Sequence, residues 1–470
     1  MSTDLHFLTI AEAAPLIKTR ALSPVDLARA YFARIKALDG QLHAYLLPLE
    51  DQAMADAKRA EAEIAAGNWK GPLHGIPIGL KDIYNTAGVR TTGHSALFKD
   101  HVPAEDAVTV SLLRQAGAVI LGKLSTWEFA IGGASFDLPW PPARNPWNIA
   151  HDPGGSSSGS GVAVASGLAM AAMGTDTGGS IRGPASWCGI AGLKPTYGYL
   201  SRRGILPLSF SLDHAGPMCW TSEDCALMMN VLARHDPLDA ASASVTAPDF
   251  TASLGSGVAG LRIGVPRHFF ETDVTTEPEV HAAFEAALTV FRSLGATVTE
   301  VTLSPLGLFT DVNSLITAAE GYAIHREFLL NTPELYGERG RLRIMAGAFV
   351  TAADYVNAQR ERARLVVQVA ETMRDVDLLM MPTRHIVAPV LGAYDSSVGP
   401  SLTRPFNMTG YPALSICNGF SACGLPISLQ IAGRPFEDHT VLKAGDAFEK
   451  ATSYRSVRPS FAAPLADAAN

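Results

Sequence analysis

Two clusters of glycine and serine, separated by an apolar run of small residues, constrain this chain more than any other feature. The clusters are residues 154–161 and 175–182, and the run is 162–173. A flexible Gly/Ser linker is one interpretation, but the run is too apolar to lie in water. We therefore predict a buried small-residue helix that brings both serine clusters to one place. Glycine lets backbone N–H groups approach a ligand, and serine hydroxyls beside them are candidate nucleophiles.

Composition and charge are those of a large globular protein. The 470 residues are 47% hydrophobic and 17% charged, and 37 basic against 45 acidic side chains give a formal charge of −8. This balance argues against a nucleic-acid or anionic-membrane surface, because both require a basic patch. The cysteines are odd in number and form no CxxC pair, which predicts reduced, mostly buried thiols in a cytosolic protein. They are Cys188, Cys219, Cys225, Cys417 and Cys423.

The sequence shows no targeting or membrane segment. Residues 1–6 lack a basic stretch followed by an apolar one, so we expect no signal peptide. The longest apolar run, 161–174, is too short and too rich in small residues to span a bilayer. We expect a cytoplasmic protein with no membrane contact.

Predicted strands and helices interleave along the whole chain without a linker or a repeat. This pattern predicts one large α/β domain over residues 1–470, in which helices of residues 1–66 pack on a core at 75–220. Ser23 followed by Pro24 is a typical helix start. Helices are predicted at 9–19, 23–38, 50–66, 107–116, 277–294, 318–330, 352–376 and 440–451, strands at 76–80, 118–121, 261–266, 296–303, 378–382 and 425–431, and turns at 190–198 and 216–218.

A lysine ends the first predicted strand. Ile76, Ile78 and Leu80 alternate along it and lead into Lys81. A solvated lysine at a strand end is the plain interpretation. A buried lysine, however, loses its charge several pH units lower than usual and can then act as a general base. We interpret the neighbouring His74 and Asp82 as structural.

One motif has the spacing of a nucleotide-binding loop but lacks a residue that such a loop needs. Gly117, Gly122 and Lys123 have the spacing of a phosphate-binding loop, yet Leu124 stands where Ser or Thr would hold Mg²⁺. A strand that ends in a turn explains the spacing better. The sequence also contains no H-E-x-x-H motif and no cluster of metal ligands, so we expect no metal and no cofactor.

An aromatic segment precedes the first glycine cluster. It is long for a plain connection and either forms the wall of a pocket or supplies ordinary core aromatics. As a pocket wall it favours an apolar or aromatic substrate group. The candidate pocket residues are Trp127, Phe129, Ile131, Gly132 and Phe136, followed by Trp140.

Several motifs occur together in a fixed order. They are 75-GIPIGLKD-82, 154-GGSS-157, 174-GTDTGGSIR-182, 192-GLKPT-196, 404-RPFN-407 and 425-LPISLQ-430. In this combination the chain resembles the amidase signature family over nearly its whole length. The resemblance implies an α/β/α sandwich around a mixed, many-stranded sheet.

The resemblance also implies a catalytic triad. Ser180 would be the nucleophile, and Ser156, which follows a cis peptide bond in relatives, would relay its proton to Lys81. Asp176 and Arg182 would hold the loop, with Ser157 in a supporting role. The oxyanion hole would consist of the backbone N–H groups of Thr177, Gly178, Gly179 and Ser180.

The sequence departs from relatives at Ser158 and Ser160, where glycine or another small residue is common. This difference predicts either altered hydrogen bonding of Ser156 or no effect.

The expected activity is hydrolysis of a small-molecule amide through an acyl-enzyme, by a monomer or homodimer. An apolar or aryl amide is the favoured substrate, and esters or carbamates would pass through the same kind of intermediate. Two alternatives stay open. The near-match Ser201-Arg202-Arg203-Gly204 resembles glutamine-hydrolysing subunits of tRNA-dependent amidotransferases. A catalytically silent binding protein is the other.

Overall fold

The protein contains one mixed β-sheet that runs through the whole molecule. A computed structural model describes residues 5–395 and 399–462; residues 1–4, on which part of the signal-peptide prediction rests, lie outside them. The sheet has eleven strands in the order β1-β3-β2-β4-β6-β5-β10-β11-β9-β7-β8. The strands are β1 Tyr45–Pro48, β2 Pro77–Lys81, β3 Val119–Leu124, β4 Ala171–Asp176, β5 Ala191–Lys194, β6 His214–Cys219, β7 Arg262–Val265, β8 Thr297–Glu300, β9 Leu378–Pro382, β10 Ala413–Phe420 and β11 Pro426–Gly433.

Strand directions are mixed, as expected. Strand β2 pairs in parallel with β3 and β4, and β7 pairs in parallel with β8 and β9. The remaining neighbours, from β4 through β6, β5, β10 and β11 to β9, are antiparallel, as are β1 and β3. The predicted fold class, an α/β/α sandwich around a mixed sheet, is confirmed.

Fourteen α-helices accompany the sheet in the described residues. Ser23 accepts hydrogen bonds from Val25 and Asp26 backbone N–H groups, and Pro24 begins the helix, as the sequence predicts. The helices are α1 Ile10–Lys18, α2 Pro24–Leu42, α3 Glu50–Ala65, α4 Val108–Gln115, α5 Ser158–Ala165, α6 Arg182–Cys188, α7 Ser222–Leu232, α8 His268–Glu271, α9 Pro278–Ser293, α10 Leu306–Asn331, α11 Glu338–Met345, α12 Ala352–Thr372, α13 Arg404–Thr409 and α14 Asp438–Ala451.

The apolar run between the two glycine clusters is not the single helix that the sequence predicts. Helix α5 ends at Ala165, Gly167 adopts a left-handed conformation with φ +69°, and the chain continues as strand β4. Strand β4 lies between β2 and β6 and all of its residues are buried, which explains why the apolar run continues up to Met173. The two clusters still meet, because the backbone N–H of Ser157 donates to Ser180 O at 3.2 Å.

The N-terminal helices are fastened to the central part of the chain. Buried residues of α1 and α2 share one hydrophobic core with the central strands and with helix α14. The buried Arg34 of α2 donates from Nε to Ser166 O at 2.9 Å, directly after helix α5. In the described part of the chain, no helix combines the length and the apolarity that crossing a bilayer requires.

Gly122 and Lys123, which gave the phosphate-loop spacing, lie within strand β3. Lys123 is buried, donates to Tyr84 O at 2.7 Å and forms an ion pair with Asp82 at 3.2 Å.

All five cysteines are free, and Cys188, Cys219 and Cys225 are buried.

Candidate active site

Two parallel strands bring a lysine and a threonine to the same edge of the sheet. Lys81 is the last residue of β2, and Thr175 lies at the corresponding end of β4. The Lys81 ammonium donates to Thr175 Oγ1 at 2.7 Å and to Ser156 Oγ at 2.8 Å. The peptide bond between Gly155 and Ser156 is cis. The sequence analysis did not assign any role to Thr175.

Lys81 is fully buried, and its environment favours the uncharged amine. Burial lowers the pKa of Lys81 to about 7, while the charges of Asp176 and Asp213 act in the opposite direction. Among described residues its hydrogen-bond partners are the two hydroxyls alone, so no carboxylate holds the ammonium directly. A lysine with this pKa is half deprotonated near neutral pH and can take a proton from Ser156.

Ser180 lies in the loop that joins β4 to α6, next to the first glycine and serine cluster. The loop is fixed to the first cluster by Ser157, whose N–H donates to Ser180 O at 3.2 Å and whose hydroxyl donates to Thr175 O at 3.2 Å. Ser180 is half-buried and lines a cavity of about 480 Å³. The structure therefore gathers the three residues of the implied triad at one place.

A buried ion pair fixes the loop that carries Ser180. Arg182 donates to Asp176 through Nη2 at 2.9 Å and through Nε at 3.0 Å, and both side chains are fully buried. Burial acts to raise the pKa of Asp176, but Arg182 outweighs it and holds that pKa well below its usual range. The guanidinium also donates to Gln430 Oε1 and Asn407 Oδ1, each at 2.6 Å. Gln430 and Asn407 lie in motifs that the sequence analysis recognised, but it did not predict that they hold the Arg182 guanidinium.

The loop of residues 177–180 is tied back by its carbonyl oxygens. Asn313 Nδ2 donates to Thr177 O at 3.1 Å, and the Thr403 hydroxyl donates to Gly178 O at 2.7 Å. The N–H of Gly179, one of the implied oxyanion donors, already donates to Asp176 Oδ1 at 2.7 Å. This N–H is therefore engaged in the scaffold of the loop.

The aromatic segment is divided between the cavity wall and the core. Trp127, Ile131 and Gly132 line the cavity, as the pocket hypothesis requires. Phe129 does not: it is buried against Phe98, His325 and Tyr336. Phe136 does not line the cavity either, since 64% of its surface is exposed to solvent. Phe129 is thus a core aromatic, which is the alternative that the sequence left open.

The opposite wall of the cavity is cationic, which the sequence did not indicate. Arg404 is buried at the base of α13 and donates to Ser314 Oγ at 2.7 Å. Burial, helped by the charge of Arg343, lowers the pKa of Arg404 to about 10. Closely spaced guanidinium groups in a confined space favour an anionic partner. The charged residues that line the cavity are Arg339, Arg343, Arg384, Arg404 and Asp395.

The two serines at which the sequence departs from relatives, Ser158 and Ser160, follow Ser156 in the chain. Both are buried in the first turn of α5. Ser160 donates to Met173 O at 2.9 Å and so links α5 to β4. This contact is structural and does not involve Ser156.

Comparison with known proteins shows the family of this chain. A family model described as Amidase matches residues 26–442. A glutamyl-tRNA(Gln) amidotransferase subunit of Chloroflexus aggregans is 40% identical, over 98% of this chain and 99% of its own length. The native peptide amidase of Stenotrophomonas maltophilia superposes with a TM-score of 0.86 at 31% identity, covering 96% of this chain and 98% of its own. A bacterial aryl acylamidase reaches 0.90 at 26% identity, covering 99% and 100%. The chain therefore belongs to the Amidase family of signature enzymes, hydrolases that act on C–N bonds.

Proposed function

We propose that the chain hydrolyses a small amide through an acyl-enzyme on Ser180. The observation that carries this proposal is the buried contact between Lys81 and Ser156, 2.8 Å apart, beside the Ser180 loop. The Lys81 amine takes the proton of Ser156, and Ser156 takes that of Ser180, as Ser180 Oγ forms a bond to the substrate carbonyl carbon. When the C–N bond breaks, Ser156 gives a proton to the departing nitrogen and recovers one from Lys81. Water then cleaves the ester by the same relay.

The developing negative charge on the substrate oxygen needs backbone donors. Thr177, Gly178, Gly179 and Ser180 are the proposed set. Since the Gly179 N–H donates to Asp176, Gly179 contributes only if this bond is shared with the oxyanion. Loss of one such donor typically costs about 10²–10³ in rate.

The cationic wall leads us to propose that the substrate carries a carboxylate. Arg339, Arg343, Arg384 and Arg404 line the cavity of about 480 Å³ that contains Ser180, with Asp395 as the acidic group on its lining. Guanidinium groups bind carboxylates through paired hydrogen bonds. An uncharged aryl amide, the substrate favoured by the sequence, offers no carboxylate for such paired hydrogen bonds.

Glutamine is the first candidate substrate. It offers a side-chain amide for Ser180, a carboxylate for the arginines and an ammonium for Asp395. The relatives named as glutamyl-tRNA(Gln) amidotransferase subunits, of which the Chloroflexus aggregans protein is 40% identical over nearly the whole chain, favour this alternative over a stand-alone amidase. In that role the chain would act together with partner subunits.

A stand-alone amidase for carboxylated amides is the second candidate. The solved structures named peptide amidase and aryl acylamidase favour it, because they cover nearly all of this chain. Both candidates require the same triad and differ in the leaving amine and in the need for partners.

A matched pair of substrates tests the carboxylate. Glutaramic acid and pentanamide have the same carbon chain and the same primary amide, but only the first is an anion. We expect the purified protein to release ammonia from glutaramic acid with a kcat/KM about 10- to 100-fold higher, because hydrogen bonds to a charged group contribute about 1.5–3 kcal/mol. Equal rates would contradict the carboxylate, and undiminished turnover by Ser180→Ala would contradict the mechanism.

Glutamine, acetanilide and a peptide amide then separate the two candidates. Glutamine hydrolysis that rises on addition of partner subunits, ATP and charged tRNA supports the amidotransferase. Rapid turnover of the peptide amide or the anilide by the isolated chain, with no response to those additions, supports the stand-alone enzyme.

A further inference from the structure

The register of strand β6 against β4 places Asp213 beside the 177–180 loop. The two strands are antiparallel, and their ladder ends with the pair Asp176 and His214. Thr177 and Asp213 occupy the next positions, and the Thr177 hydroxyl donates to Asp213 Oδ1 at 2.6 Å. This hydrogen bond connects the first residue of the loop that carries the proposed nucleophile to the residue before β6.

The other carboxylate oxygen of Asp213 binds a turn of the backbone. Asp213 Oδ2 accepts the N–H groups of Leu208 at 2.8 Å and Ser209 at 2.9 Å. Burial raises the pKa of Asp213, while the hydrogen bonds from Thr177 and from this turn act in the opposite direction. Asp213 therefore bridges the turn and the 177–180 loop through one side chain.

The segment that contains this turn is anchored to two helices. The Ser211 hydroxyl donates to Glu320 Oε1 of α10 at 2.8 Å, and Arg362 of α12 donates to Ser211 O at 2.9 Å. Helix α10 also supplies Asn313, which donates to the carbonyl oxygen of Thr177. Thr177 is thus held at its hydroxyl and at its carbonyl oxygen, on both sides by groups that are tied to α10.

The charge of Asp213 acts on Lys81 as well. It favours the ammonium form and so raises the pKa of Lys81, as the charge of Asp176 does. Asp176 is paired with Arg182, whereas the carboxylate oxygens of Asp213 accept from a hydroxyl and two N–H groups and, among the described residues, from no cation. Arg202 donates to the backbone oxygen of Asp213 at 3.4 Å. Loss of the Asp213 charge would therefore change Lys81 as well as the loop.

We propose that Asp213 is a positioning residue for the reaction at Ser180, which it serves by holding the 177–180 loop through the Thr177 hydroxyl. The inference rests on the proposed function, since it assigns a role in that reaction. If Asp213 only caps the turn at 208–209, its removal would lower stability and leave the reactivity of Ser180 unchanged.

An uncharged alkyl fluorophosphonate measures the reactivity of Ser180 without knowledge of the substrate. Ser180 Oγ forms a bond to phosphorus as the P–F bond breaks and fluoride leaves. The proton of Ser180 passes to Ser156, and that of Ser156 passes to Lys81. The phosphoryl oxygen gains negative charge as a substrate carbonyl oxygen would, so the reaction depends on the same loop. Mass spectrometry gives the second-order rate constant of labelling between pH 5 and 9.

Two variants remove the contact between Thr177 and Asp213. Thr177→Val keeps the shape of the side chain, and we expect its labelling to be about 10- to 100-fold slower, because small displacements of active-site groups typically cost up to about 10²-fold in rate. Thr177→Ser, which keeps the hydroxyl, should restore the rate. Asp213→Asn should cost a similar factor, and both substitutions together little more than either one, because they remove the same contact.

The pH profile separates the charge of Asp213 from its contact. The acidic limb of the profile is the rise of the labelling rate as Lys81 loses its proton. Asp213→Asn should move this limb to lower pH, because it removes a negative charge that favours the ammonium. Thr177→Val removes no charge and should leave the limb in place.

Asp239→Asn is the matched control. It removes the same charge from another half-buried aspartate, whose carboxylate accepts the backbone N–H groups of Arg202 and Ala241. We expect its labelling rate and its acidic limb to equal those of the wild type.

The proposal is overturned if Thr177→Val and Asp213→Asn are labelled as fast as Asp239→Asn, or if their two losses multiply in the double variant. A slower reaction of Asp213→Asn with an unmoved limb would also overturn it, because loss of structure alone has that effect. If Asp213→Asn does not fold, Thr177→Val and its rescue by Thr177→Ser decide. A wild type that takes no label, or equal labelling of Ser180→Ala, would instead contradict the Ser180 mechanism and the positioning role with it.

Discussion

At the scale of single residues, the chemistry depends on how Lys81 differs from Lys123, another fully buried lysine. Lys123 is equally buried but pairs with Asp82 at 3.2 Å. Lys81 has two hydroxyl partners instead, and its nearest carboxylates act on it only through space. The first arrangement supports a structural cation, and the second supports a base.

Deprotonation of Lys81 predicts the pH dependence of catalysis. Because burial lowers the pKa of Lys81 to about 7, kcat/KM should rise with pH up to this value and level off above it. At pH 6 about a tenth of the amine is free, so the rate should fall about tenfold from its plateau. Initial rates between pH 5 and 9 measure this rise, the acidic limb of the profile. Lys81→Met should lower kcat/KM on the plateau by about 10²–10⁴.

Thr175 provides the control for that assignment. Its hydroxyl accepts from the Lys81 ammonium at 2.7 Å and so stabilises the charged form. Thr175→Val should therefore move the acidic limb to lower pH, and Thr175→Ser should restore it. A loss of rate without movement of the limb would mean that Thr175 only supports the fold.

The triad Lys81, Ser156 and Ser180 was predicted from the family resemblance, because each of its residues stands in a short motif. Sequence reasoning did not identify Thr175, which lies inside a quoted motif but whose role depends on the register of β2 against β4. The sequence analysis also did not predict that Arg404 lines the cavity. No local pattern shows that a residue of α13 will face a loop more than two hundred positions earlier in the chain.

At the scale of elements, the turn between β4 and α6 depends on the ion pair of Asp176 and Arg182. The carboxylate accepts the backbone N–H groups of Gly179, Ile181 and Arg182, so it fixes the start of α6 as well as the loop. A loop held in this way needs little reorganisation, which suits the nucleophilic role that we propose for Ser180.

Breaking this pair should therefore cost stability. Arg182→Leu leaves a buried carboxylate without its charged partner, which typically destabilises a protein by about 3–5 kcal/mol. Thermal and denaturant unfolding measure the loss. Arg182→Lys, which keeps the charge but not the forked geometry, covers the case in which the leucine variant does not fold.

An exposed pair serves as the control for Arg182. Arg29 and Asp26 lie 2.5 Å apart with more than half of each side chain exposed, so Arg29→Leu should change stability little. If Arg182→Leu and Arg182→Lys are both as stable as Arg29→Leu, the ion pair does not hold the turn.

The elements themselves were predictable where hydrophobic periodicity was clear, as in α9 and α12. The run 162–173 was not, because a central strand buried on both faces and a buried helix are both continuously apolar. Strands β5 and β6 were interpreted as turns for a related reason. They are short and contain glycine or proline, and their pairing partners are distant in sequence.

At the scale of the whole molecule, the C-terminal helix closes the core against the signature region. Glu449 of α14 is buried and accepts the backbone N–H of Ser222, at the start of α7, at 2.9 Å. Helix α14 also packs in the same hydrophobic core as α2 and the central strands. The hydrogen bond between Ser222 and Glu449 connects parts of the chain that are 227 positions apart.

This contact makes the stability of the molecule sensitive to pH. Burial raises the pKa of Glu449 from 4.5 to about 8, although the Ser222 N–H favours the ionised form. A raised carboxyl pKa contributes stability that is complete below about pH 4.5 and is lost as the pH rises through 8. Glu449→Gln removes the titration, so the melting temperature of wild type relative to this variant should fall between pH 5 and pH 9.

Glu105→Gln, at an exposed position, should show no such trend. A constant difference between wild type and Glu449→Gln would show that Glu449 does not titrate in this range. The predicted loss of stability overlaps the range in which Lys81 becomes a base, so the enzyme should gain rate and lose this part of its stability together.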